Sequence, residues 1–122
     1  MKEEDKITNL SKAFALRIIK LYKFLSVEKR EFVLSKQILR SGTSIGANVQ
    51  ESQDAQSTAD FACKLTIALK EARETSYWLD LLHESDYITN EQFQSLSTDN
   101  SAILGTLTNI LKTLRNNKNE KQ

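Results

Sequence analysis

Hydrophobic residues recur along this chain at alternating steps of three and four, the spacing of one face of an α-helix. Four stretches carry the pattern. In the first, residues 7–25, Ile7, Leu10, Phe14, Ile18, Leu21 and Leu25 fall in line. The second, 30–53, follows Leu34, Ile38, Ser41, Ile45, Asn48/Val49 and Ser52. The third, 58–84, is the most regular: Phe61, Leu65, Ala68, Ala72, Thr75, Leu79 and Leu82 hold the step for three heptads. The fourth, 90–115, repeats it with Phe93, Leu96, Asn100, Ile103, Leu107, Ile110 and Leu114. Residues 116–122 read as a polar tail that frays.

The boundaries carry local signals as well. Ser57 with Asp60 three residues on, and Thr89 with Gln92 three residues on, suit helix N-termini, where a side-chain oxygen satisfies an orphan N–H. Ser26 to Lys29 and Asp54 to Ser57 read as short connections. There is no proline and there are only three glycines, which favours a few long helices over many short strands. Helices of this length joined by short links pack antiparallel to their chain neighbours. The predicted fold is therefore all-α: one antiparallel up-down-up-down four-helix bundle over residues 1–122, left-handed because the spacing lies near 3.5 residues. A tandem pair of helical hairpins is the alternative arrangement.

Two of the helices carry more apolar surface than one bundle requires. At 100° per residue, Leu16 and Ile19 project away from the Phe14/Leu21 stripe, among Lys12, Lys20 and Lys23. On the third helix Cys63, Ile67, Trp78 and Leu81 form a second stripe. Scattered surface apolars are common, but a continuous stripe containing a tryptophan points to self-association. Polar residues align too. Arg40, Ser44, Asn48 and Glu51 follow one flank of the second helix, and Lys64, Glu71 and Glu74 flank the second stripe of the third. Together they form a candidate buried or half-buried network in which Arg40 and Lys64 meet Glu51, Glu71 and Glu74, setting helix register and partner choice. The run Ser41-Gly42-Thr43-Ser44-Ile45-Gly46-Ala47 sets two glycines inside a helix at about 1 kcal/mol each. Close approach of a neighbouring helix would offset that; a break in the helix is the other reading.

Composition adds bounds. At 122 residues the chain suits one domain with one core. With 39% hydrophobic and 27% charged residues it fits the globular class, and no apolar run reaches the ~20 residues of a membrane span. The charged start Met1-Lys2-Glu3-Glu4-Asp5-Lys6 lacks the apolar stretch of a secretory leader, and the single Cys63 permits no internal disulfide. A cytoplasmic location is expected, with no membrane contact. Net charge is +1, yet residues 1–40 hold ten Lys/Arg against five acids, while residues 41–111 hold three against ten. Lys12, Arg17, Lys20 and Lys23 on the first helix, with Lys112, Arg115, Lys118 and Lys121 near the C-terminus, are candidate contacts for RNA or DNA phosphates if the bundle brings them together. No aromatic residues interleave with them, so base stacking is not indicated.

The segment from Ser41 to Glu51, with Arg40 before it, and the segment Lys64 to Leu82 (KLTIALKEARETSYWLDLL) resemble the bacterial four-helix bundle family encoded in intervening sequences of 23S ribosomal RNA genes. The likeness runs from Phe14 to about Leu114. Many members have glycine after the glutamate; here it is Ser52. The resemblance implies a homopentameric ring of bundles. A related branch consists of basic accessory proteins of diversity-generating retroelements that bind nucleic acid and a reverse transcriptase; this chain is far closer to neutral.

Catalysis is not expected. Asp80 and His83 stand at a carboxylate-x-x-His step, but a metal-binding bundle needs that step on two helices and further glutamates. His83 better suits charge complementation of a helix C-terminus. Cys63 has no partner, and Glu71 and Glu74 have no accompanying oxyanion site. No catalytic residue, cofactor or metal is predicted. The expected function is that of a non-enzymatic, ring-forming assembly or adaptor module that binds RNA or DNA by backbone charge. The alternative is a scaffold that binds only protein.

Overall fold

The computed structural model describes residues 2–120, with side chains through Lys118. Within them run four helices, α1 (Glu3–Val27), α2 (Leu34–Ser52), α3 (Thr58–Glu84) and α4 (Asn90–Glu120). Each packs against two others, α1 and α3 both contacting α2 and α4, so α1 and α3 lie across a diagonal. Residue pairs give the directions: Ile18 meets Gly42 while Ser11 meets Gly46, Arg40 meets Glu71 while Glu51 meets Lys64, and Asn100 meets Ala72. As one number rises the other falls, so neighbours run antiparallel and the fold is an all-α four-helix bundle.

The core is the set of stripes predicted from spacing. Phe14, Ile18 and Leu25 of α1, Ile38 and Ile45 of α2, Leu65 and Leu79 of α3, and Ile103 and Leu107 of α4 are all essentially inaccessible. Each such side chain contributes about 1.5–3 kcal/mol by leaving water. The small residues of α2 have a structural purpose. An added Cβ at Gly42 would lie 2.8 Å from Ile18 Cγ1, and one at Gly46 would sit 3.4 Å from the Ser11 carbonyl oxygen, so α1 rests almost on the α2 backbone. On the other side of α2 the Ser41 hydroxyl meets that of Thr75 at 2.9 Å. The helix is continuous through both glycines.

Three boundaries differ from the spacing-based ones by more than two residues. The first helix starts at Glu3, four residues earlier, since Glu3, Glu4 and Asp5 suit the positive end of a helix. The second starts at Leu34 and not near Arg30. Arg30 takes φ 52°, and the Glu31 carboxylate accepts from the backbone N–H groups of Val33, Leu34 and Ser35 at 2.8–3.3 Å. The fourth runs to Glu120, so the described part of the polar tail is helical, continuing from Leu111 and Leu114, which still pack on the core. At the other starts, Ser57 accepts from the Asp60 N–H at 3.0 Å, and Thr89 and Gln92 exchange bonds of 2.8 and 3.1 Å as a full capping box.

Candidate assembly faces and polar seam

The seam between α2 and α3 gathers most of the polar side chains singled out above. Arg40 donates to Glu71 at 3.2 Å and also to Glu74, which in turn accepts from the Trp78 indole N–H at 2.9 Å. Near the other end of α2, Lys64 stands 3.4 Å from Glu51. Ser44 and Asn48 do not join either group: the Ser44 hydroxyl bonds the Arg40 carbonyl at 2.6 Å and the Asn48 amide bonds the Ser44 carbonyl at 2.8 Å. The seven residues thus form two separate clusters instead of one network. The expected pairs form, and Ser44, Asn48, Lys64, Glu71 and Glu74 are half-buried, but the Arg40 and Glu51 side chains keep 49% and 62% of their surface. The reason is geometric. Ser41 and Thr75 fill the closest approach of α2 and α3, so longer polar chains bridge over the outside of the seam. Pairs this exposed contribute about 0–1 kcal/mol each.

The outer faces of the diagonal helices are apolar in part. On α1, Leu16 keeps 61% of its surface and Ile19 is exposed beside it, between the exposed Lys12, Lys20 and Lys23. On α3, Cys63 and Ile67 are exposed, whereas Trp78 and Leu81 are half-buried. Trp78 leans on the core edge and on Tyr77, ring centroids 5.2 Å apart. The spacing argument missed Tyr77, which is exposed, and a separate group at the α1–α2 connection, Val27, Phe32 and Val33. The last two fall inside the 30–53 bounds of the second helix but before its first stripe residue, Leu34, and the Glu31 cap leaves them ahead of the helix.

The two basic clusters do not merge into one patch: Lys12 lies on the C-terminal side of Arg17 along α4, and Lys20 and Lys23 lie on the other. Arg17 is engaged with Asp99 at 2.6 Å and with the Ser95 hydroxyl at 3.0 Å. Lys112 lies thirteen residues beyond Asp99, about 20 Å further along the axis. Lys20 and Lys23 lie in the opposite direction, because α1 and α4 are antiparallel. Lys12, Lys20, Lys23, Lys112, Arg115 and Lys118 are all exposed; Lys121 lies outside the described residues.

His83 stacks on Phe93, centroids 4.2 Å apart, and its Nε2 meets Asn90 Oδ1, so it ties the end of α3 to the start of α4. Among the described residues no group of three or more His, Cys, Asp or Glu is placed to hold a metal, and no helix is long and apolar enough to cross a membrane. A cleft of about 530 Å³ opens at the end of the bundle over Ile7, Val49, Phe61 and Leu65, with Glu4 as the one ionisable group in its lining among the described residues. A single carboxylate there provides no acid–base pair.

Fold and seam together define the class: an all-helical bundle whose distinguishing surface is two outer apolar faces and a charged α2–α3 seam. The chain belongs to the 23S rRNA-intervening sequence protein family, which it matches over residues 3–109. A solved structure of a protein with unknown function from the S23 ribosomal protein family of Bacteroides thetaiotaomicron is similar, with 55% identity and a TM-score of 0.90. That similarity covers 91% of this chain and 99% of the other. None of the curated proteins matches.

Proposed function

We propose that the protein is a self-assembling scaffold whose copies join through the outer face of α1 on one and the outer face of α3 on the next. What carries the reading is the pair of unlike, exposed apolar faces on diagonal helices, Leu16 and Ile19 on one and Cys63 and Ile67 on the other. The α1 face lies among exposed Lys12, Lys20 and Lys23, with no acid in residues 12–27, and the α3 face is flanked by Glu71 and Glu74, which also hold Arg40, and by Lys64. Two different faces make a head-to-tail contact, which closes into a ring when the rotation allows. The family resemblance suggests five copies.

Light scattering of the purified protein tests this. An oligomer at micromolar concentration is expected, and Leu16→Glu and Ile67→Glu should each lower the mass while leaving helicity intact. These are cleaner probes than Trp78, which also packs on the core. A monomeric parent, or unchanged mass in both variants, overturns the reading.

A second reading, contact with RNA or DNA phosphates, is favoured by Lys12, Lys20 and Lys23 standing exposed along one helix. A ring would multiply so small a patch. Gel-shift binding measured across salt decides between this and a scaffold that binds only protein: binding through these lysines weakens steeply with salt. No shift even at low salt removes it.

A further inference from the structure

The end of the bundle formed by the two hairpin connections, α1–α2 and α3–α4, is polarised. At the α1–α2 connection Val27, Phe32 and Val33 keep 69%, 52% and 70% of their surface. They are held out by geometry: Arg30 takes φ 52°, Glu31 N–H bonds the Leu25 carbonyl at 2.9 Å, and the Glu31 carboxylate clamps the first N–H groups of α2. Exposed Lys29, Arg30 and Lys36, against the one exposed acid Glu28, give this apolar tip a net positive charge. The neighbouring α3–α4 connection is of the opposite sign, with Glu84, Asp86 and Glu91 all exposed. An anionic lipid surface or a nucleic acid approaching end-on would attract one hairpin and be repelled by the other. A second copy, turned by a two-fold axis lying in the end face, sets the basic apolar tip of each chain against the acidic hairpin of its mate.

We infer that this end is a two-fold, end-to-end docking surface for a second copy of the same chain, built on Val27, Phe32 and Val33 and oriented by Lys29 and Lys36 against Glu84 and Glu91. The patch is small beside the ~800 Å² per partner of a standard interface, so the contact is weak and salt-sensitive. It is separate from the lateral α1-to-α3 contact proposed above and does not need it.

Sedimentation equilibrium of the full chain from micromolar to hundreds of micromolar, at low and high salt, reads both contacts independently. Lateral association sets the mass at the dilute end; end-to-end docking appears as a doubling of that mass on concentration at low salt. The parent should double, and the Phe32→Ser, Val33→Ser double variant should not. Lys29→Glu with Lys36→Glu should also abolish doubling, and adding Glu84→Lys with Glu91→Lys to that chain should restore it, because the swapped end is again self-complementary. Absence of doubling in the parent overturns the proposal, as does equal doubling in the Phe32/Val33 variant or failure of the charge swap to restore it. So does Phe32-dependent pelleting of the parent with phosphatidylserine vesicles, which would give the tip to a lipid surface. If Leu16→Glu lowers the dilute mass but leaves the doubling, the lateral and end contacts are distinct, as expected.

Discussion

Gly42 and Gly105 are both helical glycines, yet the same substitution should act on them with opposite sign. An alanine methyl at Gly42 would press within 2.8–3.2 Å of three Ile18 atoms, whereas at Gly105 nothing lies within 4 Å. Gly42→Ala is expected to destabilise by about 1–3 kcal/mol through overpacking, and Gly105→Ala to stabilise by up to about 1 kcal/mol through helix propensity. Urea unfolding of the two variants checks the contrast. At Glu31, desolvation pushes the carboxyl pKa up, but the N–H groups of Ser35, Leu34 and Val33 outweigh it and hold the value below the ordinary 4.5. A folded-state pKa below the unfolded one means stability that is present above pH 4.5 and lost as pH falls through the folded value. Glu31→Gln should therefore cost about 1 kcal/mol near neutrality and nothing at a pH where the parent carboxylate is protonated. A difference that persists in acid would assign the effect to packing instead.

At the scale of elements, the helices are made by period, caps and missing breakers, and they are joined in register by few polar contacts. Asn100 occupies a core position of α4 and donates to the Ala72 carbonyl at 2.9 Å and the Ser76 hydroxyl at 2.8 Å, while its own Oδ1 has no partner among the described residues. An amide left half-satisfied in a core costs free energy that leucine would not. Asn100→Leu is expected to raise the unfolding free energy, and with it the thermal midpoint, by roughly 1 kcal/mol, at the expense of the Asn100 hydrogen bonds that pin α3 against α4. Thermal unfolding with a near-ultraviolet circular dichroism scan tests it: a lower midpoint contradicts the expectation, and broadened aromatic signals would report the lost register. The partly exposed Arg40–Glu71–Glu74 cluster works on the other seam with smaller energies.

For the molecule as a whole, self-assembly has a thermodynamic signature beyond mass. If lateral contact stabilises each subunit, the unfolding midpoint of the parent rises with protein concentration, and that of Leu16→Glu does not. Equal, concentration-independent midpoints would contradict assembly through α1. The core stripes, both capping pairs and the need for a close helix approach at Gly42 were all legible in the residue order, because each depends on neighbours within a turn or two or on simple periodicity. What stayed hidden depends on rotation and level between helices distant in sequence. Spacing placed Arg17 with the free basic residues, but the antiparallel level of α1 and α4 sets it on Asp99; spacing put Phe32 and Val33 inside a helix, and the carboxylate of Glu31 left them out at its tip. The sequence by itself determined how many helices form and which face of each turns inward, since burial of an apolar stripe is a local demand. Only the tertiary structure decided that Arg17 meets Asp99, that the Arg40 and Lys64 pairs stay apart, and that Phe32 and Val33 remain in water, since those follow from how one helix is set against another.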